Sequence, residues 1–481
     1  MESSFRIIQG GMGVGVSNWV LAKSVAERGQ LGVVSGTGIA TVLARRLQRG
    51  DPDGHLRRAI HAFPFPDISA RIIDRYFVAG GIAAVTAFKS TPFPVVKFSR
   101  ALEELTVLAA FTEVFLAKEG HLGKVGINLL EKVQTPTLAT LFGAMLAGVD
   151  YVLMGAGIPR HIPGSLDLLA RWEPASLKID VQGAQGGDAV SSEFAPLFFA
   201  GRDRAFAASA SSPAPLQRPA FLAIVSSATL AMTLARKSNG RVDGFIIETE
   251  MAGGHNAPPR GPLQLTPDGE PVYGPRDAAD LAKIAALGLP FYLAGGFASR
   301  QQLKWALAQG AAGIQIGTAF AFCRESGIRS ELKCQVIDLV RQGKAKVFTD
   351  PKASPTGFPF KVLQIEKSLS DSAVYAQRSR KCDLGYLRMA YSRPDGTVGY
   401  RCAAEPADDY VTKGGAIEET VGRKCLCNAL FATIGLGQIS HGEPEMPIVT
   451  AGDDVSQLLR YIRNGETSYS SGDVLDCILN D

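Results

Sequence analysis

Eight short apolar runs, each bounded by Gly or Asp, recur through the first 320 residues of this 481-residue chain: Arg6–Gln9, Leu31–Ser35, Val125–Leu129, Tyr151–Met154, Phe221–Val225, Gly244–Glu248, Phe291–Ala294 and Gly313–Ile316. Between them lie segments with apolar residues at three- and four-residue spacing: Ser17–Arg28, Ala101–Lys118, Pro136–Ala147, Ala228–Lys237, Pro275–Leu287 and Ser299–Gln309. Strand and helix therefore alternate, which requires parallel pairing through crossovers. The runs are apolar throughout rather than at every second residue, so both faces of each strand are expected to be buried. Eight such units fit an α/β fold of the (β/α)8 TIM-barrel type better than an open doubly wound sheet.

Two intervals are too long for simple connections. Gly36–Lys124 and Glu173–Pro219 are read as insertions, at about 36–124 and 173–219, the second with a hairpin around Gln182–Asp188. A barrel over 1–330 is expected, followed by a mixed C-terminal extension over 331–481 that opens with a helix at Glu331–Gly343 and then loses the strand–helix rhythm. The extension is expected to pack on the barrel.

Charge narrows the range of partners. Fifty basic against 46 acidic residues leave +4 on 481 residues, too little to hold a nucleic-acid polyanion. A composition that is 46% hydrophobic and 20% charged is that of a globular enzyme rather than a disordered chain. Gly143–Ile158 and Phe221–Ala235, the longest apolar stretches, carry polar residues such as Asp150 and Ser226, and no membrane association is expected. No basic-then-apolar leader opens the sequence, and its seven cysteines are odd in number and all lie in the last third, so a reducing cytoplasm is expected. Cys382, Cys402, Cys425 and Cys427 invite a zinc reading, yet they include no C-x-x-C pair. Ordinary reduced cysteines and no metal site are expected.

Chemistry concentrates at strand ends. The first strand enters Gln9-Gly10-Gly11-Met12-Gly13-Val14-Gly15, where missing side chains let backbone approach a flat ligand, but the G-x-G-x-x-G spacing of a dinucleotide site is lacking. Ala294-Gly295-Gly296 after the seventh strand and Gln315-Ile316-Gly317-Thr318 at the eighth occupy the positions where barrels commonly bind phosphate. Glu248-Thr249-Glu250-Met251-Ala252-Gly253-Gly254-His255 puts an imidazole at the rim where barrel enzymes keep their chemistry, with an unperturbed pKa of ~6.5 that permits either protonation state near neutrality. The other histidines, His55, His61, His121, His161 and His441, lack this context. Arg260, in the Pro-rich loop that follows, could orient a nitro or carboxylate group, though a solvated loop arginine is an equal reading.

Gln9–Gly13, Gly126-Ile127-Asn128-Leu129, Met251–His255, Ala294-Gly295-Gly296 and Gln315–Thr318 with Glu325-Ser326 together resemble the nitronate monooxygenase family, formerly the 2-nitropropane dioxygenases, over roughly residues 5–330. Flavin-dependent enoyl-acyl carrier protein reductases share that scaffold. The resemblance implies FMN, with Gly11, Met12 and Gly13 near its ring, Asn128 hydrogen-bonding it, and Gly253 and Gly254 passing close by. It further implies that Gly295, Gly296, Gly317 and Thr318 hold the phosphate with Gln315 nearby, and that His255 is catalytic. This chain departs from the pattern at Glu248, an acid where a neutral amide is usual, and at Ala223-Ile224-Val225-Ser226-Ser227, which has no lysine. The implied reaction is oxidation of an alkyl nitronate or similar carbon acid by molecular oxygen. A runner-up is NAD(P)H-dependent enoyl-thioester reduction in trans on a fatty acid or polyketide synthase, with an acyl carrier as partner, and a third reading is a flavin-binding module without turnover. A homo-oligomer is compatible with all of them.

Overall fold

The computed structural model describes residues 5–184, 190–209, 212–440, 442–463 and 466–480. The tip of the hairpin expected around Gln182–Asp188, at residues 185–189, lies outside the described residues, as does His441.

Eight parallel strands form the barrel: β1 (Ile7–Gln9), β2 (Gly32–Ser35), β3 (Val125–Leu130), β4 (Tyr151–Gly155), β5 (Ala220–Val225), β6 (Gly244–Glu248), β7 (Phe291–Ala294) and β8 (Gly313–Ile316). From β2 onward each pairs with the next in sequence, and β1 pairs with β8 through Ile7 opposite Ile314. Closure is completed at the seam between β1 and Leu31, where Gln9 N–H donates to Leu31 O at 2.9 Å and Leu31 N–H to Ile7 O at 3.1 Å. Alternate residues separate into two cores. Ile8, Val33, Leu153, Leu222, Ile246 and Tyr292 fill the barrel interior, while Ile7, Val34, Val152, Phe221, Phe245 and Phe291 face the surrounding helices. A strand apolar on both faces is thus what a helix-wrapped barrel demands.

The stretch between β2 and β3 is helical, with Ile39–Gln48, His55–His61, Pro66–Tyr76 and Arg100–Lys118. Between β4 and β5, Ala175–Lys178 pairs antiparallel with Ser191–Phe194. The expected helix over Pro275–Leu287 shortens to Leu281–Ala285. Asp280 caps that helix at Lys283 N–H, and Asp277 accepts from Gly274 N–H and Arg260 N–H, so the preceding residues are held as a loop.

Beyond β8 the chain runs through a helix (Ser330–Arg341), a hairpin (Val347–Asp350 with Phe360–Leu363), a second hairpin (Met389–Ser392 with Val398–Arg401) and a helix (Leu426–Thr433), and ends in a helix (Ser471–Leu479). Val449, Ala451, Leu458, Tyr469, Leu475 and Ile478 join the main core, whereas Phe360, Val362, Leu369, Leu426, Ala429 and Ile448 pack as a cluster of their own. Among the described residues no helix is long and apolar enough to cross a membrane.

Candidate active site

The C-terminal ends of the strands open into one cavity of about 240 Å³. Its lining includes Gly11, Met12, Gly13, Asn128, Gly253, Gly254, His255, Gly295, Gly296, Gln315, Gly317 and Thr318, every site residue expected from the sequence. They come from the ends of β1, β3, β6, β7 and β8, far apart in sequence and brought together by barrel closure.

The loop after β1 is held from within. Gln9 Nε2 donates to Ser17 Oγ at 2.8 Å, and Ser17 Oγ donates to Gly10 O at 2.8 Å and accepts from Met12 N–H at 2.8 Å. A Cβ at Gly11 would stand 2.1 Å from Asn128 Cβ, so only glycine fits against that side chain. Asn128 Nδ2 donates to Gly11 O at 2.8 Å, which leaves its Oδ1 buried without a partner, and Gln315 Oε1 is buried and unpartnered as well. Two orphaned acceptors beside a glycine-paved floor suit a planar heterocycle with ring N–H donors, because an unpartnered buried acceptor otherwise costs ~1–3 kcal/mol. On this observation the residues present fit a flavin.

The turn after β7 has the left-handed backbone that glycine tolerates, with φ of +87° at Gly295 and +76° at Gly296. Thr249 Oγ1 donates to Gly295 O at 3.1 Å, and Gln302 Nε2 donates to Gly296 O. Thr318 Oγ1 accepts from Gly452 N–H at 2.9 Å and is hydrogen-bonded to the Asp454 carboxyl. Its hydroxyl, expected to meet a phosphate, is therefore engaged by the C-terminal extension. Burial raises the pKa of Asp454, which favours the neutral acid at this end of the cavity.

His255 is fixed by residues about a hundred positions downstream. Its Nε2 lies 2.7 Å from Ser354 Oγ, which in turn is 2.8 Å from Thr356 Oγ1. Its ring meets Phe360 edge-on with centroids 4.8 Å apart. The backbone on either side is tied down too: Asn256 N–H donates to Pro359 O at 2.9 Å, Lys361 N–H to Gly254 O at 2.9 Å, and Gly254 N–H to Thr450 Oγ1 at 2.8 Å. Burial pushes the imidazole down to about 4. Burial thus favours the neutral imidazole over the even choice of protonation state expected from the sequence.

Glu248, at the end of β6, is moved the opposite way by burial, up to about 7. Burial thus favours its neutral acid form, so the departure from the usual amide is smaller than its formal charge suggests. Glu248 and His255 stand in the wall between the main cavity and a second one of about 230 Å³, lined further by Glu250, Tyr273 and Phe358. Arg260 also borders that chamber, but its Nη1 donates to Arg276 O at 2.6 Å, so the guanidinium is tied to its own loop. None of His55, His61, His121 and His161 lines either cavity.

The remaining wall comes from residues that the sequence left unassigned. Phe360, Tyr386, Leu387, Phe431, Thr450 and Asp454 all reach the main cavity from the C-terminal extension.

Residues 206–343 match the nitronate monooxygenase family model. That stretch carries Met251–His255, Ala294–Gly296 and Gln315–Thr318, while the motifs at Gln9–Gly13 and Gly126–Leu129 lie before it. No curated protein matches the chain. Among solved structures, FabK from Thermotoga maritima is similar at 14% identity over 99% of this chain and 92% of that one, with a TM-score of 0.47. A nitroalkane oxidase from Streptomyces ansochromogenes is similar at 14% identity over 99% and 95%, with a TM-score of 0.45. The enoyl reductase domain of MlnA from Bacillus amyloliquefaciens is similar at 11% identity over 98% and 91%, also with a TM-score of 0.45.

Proposed function

We propose that the chain is an FMN-dependent oxidoreductase that oxidises alkyl nitronates or a similar carbon acid with molecular oxygen. The observation that carries this reading is the position of His255, neutral and hydrogen-bonded to Ser354 in the wall between a glycine-floored cavity and a second chamber. The family match over residues 206–343 supports the oxidoreductase class.

In this reading Gly11, Met12, Gly13 and Asn128 hold the flavin ring, Gly253 and Gly254 let it pass, and Gly295, Gly296, Gln315, Gly317 and Thr318 hold its phosphate end. Bound flavin supplies a two-electron acceptor that oxygen regenerates. A substrate in the second chamber presents its acidic carbon to His255. With Nε2–H donating to Ser354 Oγ, the lone pair of Nδ1 is left free, and Phe360 fixes the plane of the ring. A neutral carbon acid can then give its proton to Nδ1, whereas a nitronate, already deprotonated, is only positioned by the imidazole; Glu248 in its acid form can donate a hydrogen bond to an anionic oxygen of either.

Purified protein should carry FMN and be bleached anaerobically by an alkyl nitronate without added nicotinamide. Bleaching by NADPH alone, with no response to nitronate, would replace this reading by enoyl-thioester reduction.

Glu248 makes the reaction pH-dependent in a defined direction. Its folded-state pKa is raised, so its contribution to stability is present below the ordinary carboxylate range and is lost as pH rises through about 7. Ionisation also places a negative charge beside an anionic substrate. Anaerobic flavin reduction by nitronate should therefore slow as pH rises through about 7 in the parent. In Glu248→Gln that limb should vanish; stopped-flow rates for both proteins across the range decide it. A limb retained in the variant would assign the titration elsewhere.

A further inference from the structure

Cys382, Cys402, Cys425 and Cys427 come from three separate stretches of the C-terminal extension, and the fold brings them together. Cys382 precedes the strand Met389–Ser392, and Cys402 directly follows its partner Val398–Arg401, where Met389 stands opposite Arg401. Cys425 is the N-cap of the helix Leu426–Thr433, and Cys427 sits in its first turn. All four line one enclosed space of about 10 Å³, room for a single water-sized body. Each is buried or half-buried, and none is in a disulfide.

Backbone N–H groups are directed at every one of the four sulfurs: Gly385 to Cys382, Ala404 to Cys402, Asn428 to Cys425, and Tyr386 with Leu387 to Cys427. The Asn428 side chain adds a further contact, Nδ2 to Cys425 Sγ at 3.6 Å. A thiol is a weak acceptor and does not require this arrangement. A thiolate does, and N–H groups converging on each sulfur are the outer shell that orients metal-bound thiolates. Around the cluster the chain forms only short elements, such as Ser372–Gln377, Ala407–Thr412 and the two four-residue strands. Segments of this kind are commonly held by a bound ion when they lack a large core.

We propose that Cys382, Cys402, Cys425 and Cys427 form a closed four-thiolate site for one soft divalent ion of the zinc class. Four protein ligands leave no open position, so the role is structural. As placed, no group of three or more His, Cys, Asp or Glu side chains among the described residues could hold a metal ion, these four cysteines included. Binding therefore draws the sulfurs inward by side-chain rotation, with release of their protons. Leu387 and Cys427 line both this space and the cofactor cavity, so the ion clamps the cavity's outer wall from behind.

The test is elemental analysis of the full-length protein purified from zinc-supplemented cells. The proposal expects close to one zinc per chain. Stripping it with a strong chelator under reducing conditions should raise the number of thiols reactive toward a disulfide reagent by about four. Cobalt reconstitution should give the intense visible bands of a tetrahedral thiolate site. Cys402→Ser and Cys425→Ser should each retain less than about a tenth of the metal, whereas Cys334→Ser and Cys477→Ser, at exposed positions, keep all of it. Parent protein with no stoichiometric metal, and the same thiol count before and after chelation, overturns the proposal even if the variants fail to fold. Iron with acid-labile sulfide in place of zinc overturns it too. None of these readouts depends on flavin or turnover, so the result stands apart from the proposed reaction.

Discussion

Replacing His255 with Asn lowers the rate of flavin reduction by a neutral carbon-acid substrate by about 10²–10⁴-fold, the usual contribution of a positioned acid–base group. Flavin content stays at the parent level, because the cavity floor is built from glycines and amides that the substitution leaves alone. Asn keeps a polar side chain facing Ser354 but has neither the basic nitrogen nor the ring that meets Phe360 at 4.8 Å. The loop is also pinned by backbone bonds through Gly254 and Asn256, so the melting temperature should drop by only a few degrees, on the scale of ~1 kcal/mol. Anaerobic stopped-flow separates this step from reoxidation by oxygen. Reduction at the parent rate would remove the imidazole from the chemistry and leave the motif as backbone geometry alone.

Gly296→Asp should abolish flavin retention, with less than about a tenth of the parent's content after purification, because a carboxylate would stand against a phosphate with no compensating charge. Two separable costs contribute. Any side chain at φ +76° is strained by ~1–2 kcal/mol, and its Cβ would meet Met251 Cε at 2.9 Å. Gly296→Ala carries only these costs, so the difference between the two variants isolates the charge. Thr318→Val should be milder than the aspartate. It loses the contacts to Gly452 and Asp454 that hold the extension against this end of the cavity, but adds no charge. Full flavin content in both Gly296→Asp and Thr318→Val would place the phosphate end elsewhere, as measured by absorbance and chromatography of the released cofactor.

The barrel was legible because each strand announces itself locally. Gly244–Glu248, Phe291–Ala294 and Gly313–Ile316 have the bounds read from the sequence, and the rest differ by a residue or so at their ends. Glycine pairs at strand ends led to the cavity for a similar reason, since their backbone requirement is visible in three or four letters. What escaped notice depends on contacts between distant residues. Nothing near Ser354 marks it as the partner of His255, 99 positions earlier, and nothing near Thr450 marks it as the partner of Gly254. The imidazole's low pKa is a property of its surroundings and has no sequence signature. That Cys382, Cys402, Cys425 and Cys427 line one space was equally hidden, because a hairpin and a helix start bring them together from three stretches.

The order in which the chain is made has a consequence for when the site can be filled. A nascent polypeptide that has emerged through Arg341 contains every barrel strand and the whole glycine floor, but not Phe360, Phe431, Thr450 or Asp454. The terminal helix, Ser471–Leu479, is anchored to the first one by Ser24 Oγ lying 2.5 Å from Ser471 Oγ and by the Arg28–Asp476 ion pair. The outer wall of the cavity is thus made only after all eight strands and the glycine floor, so the barrel mouth stays open on that side until the extension through Asp454 has been added.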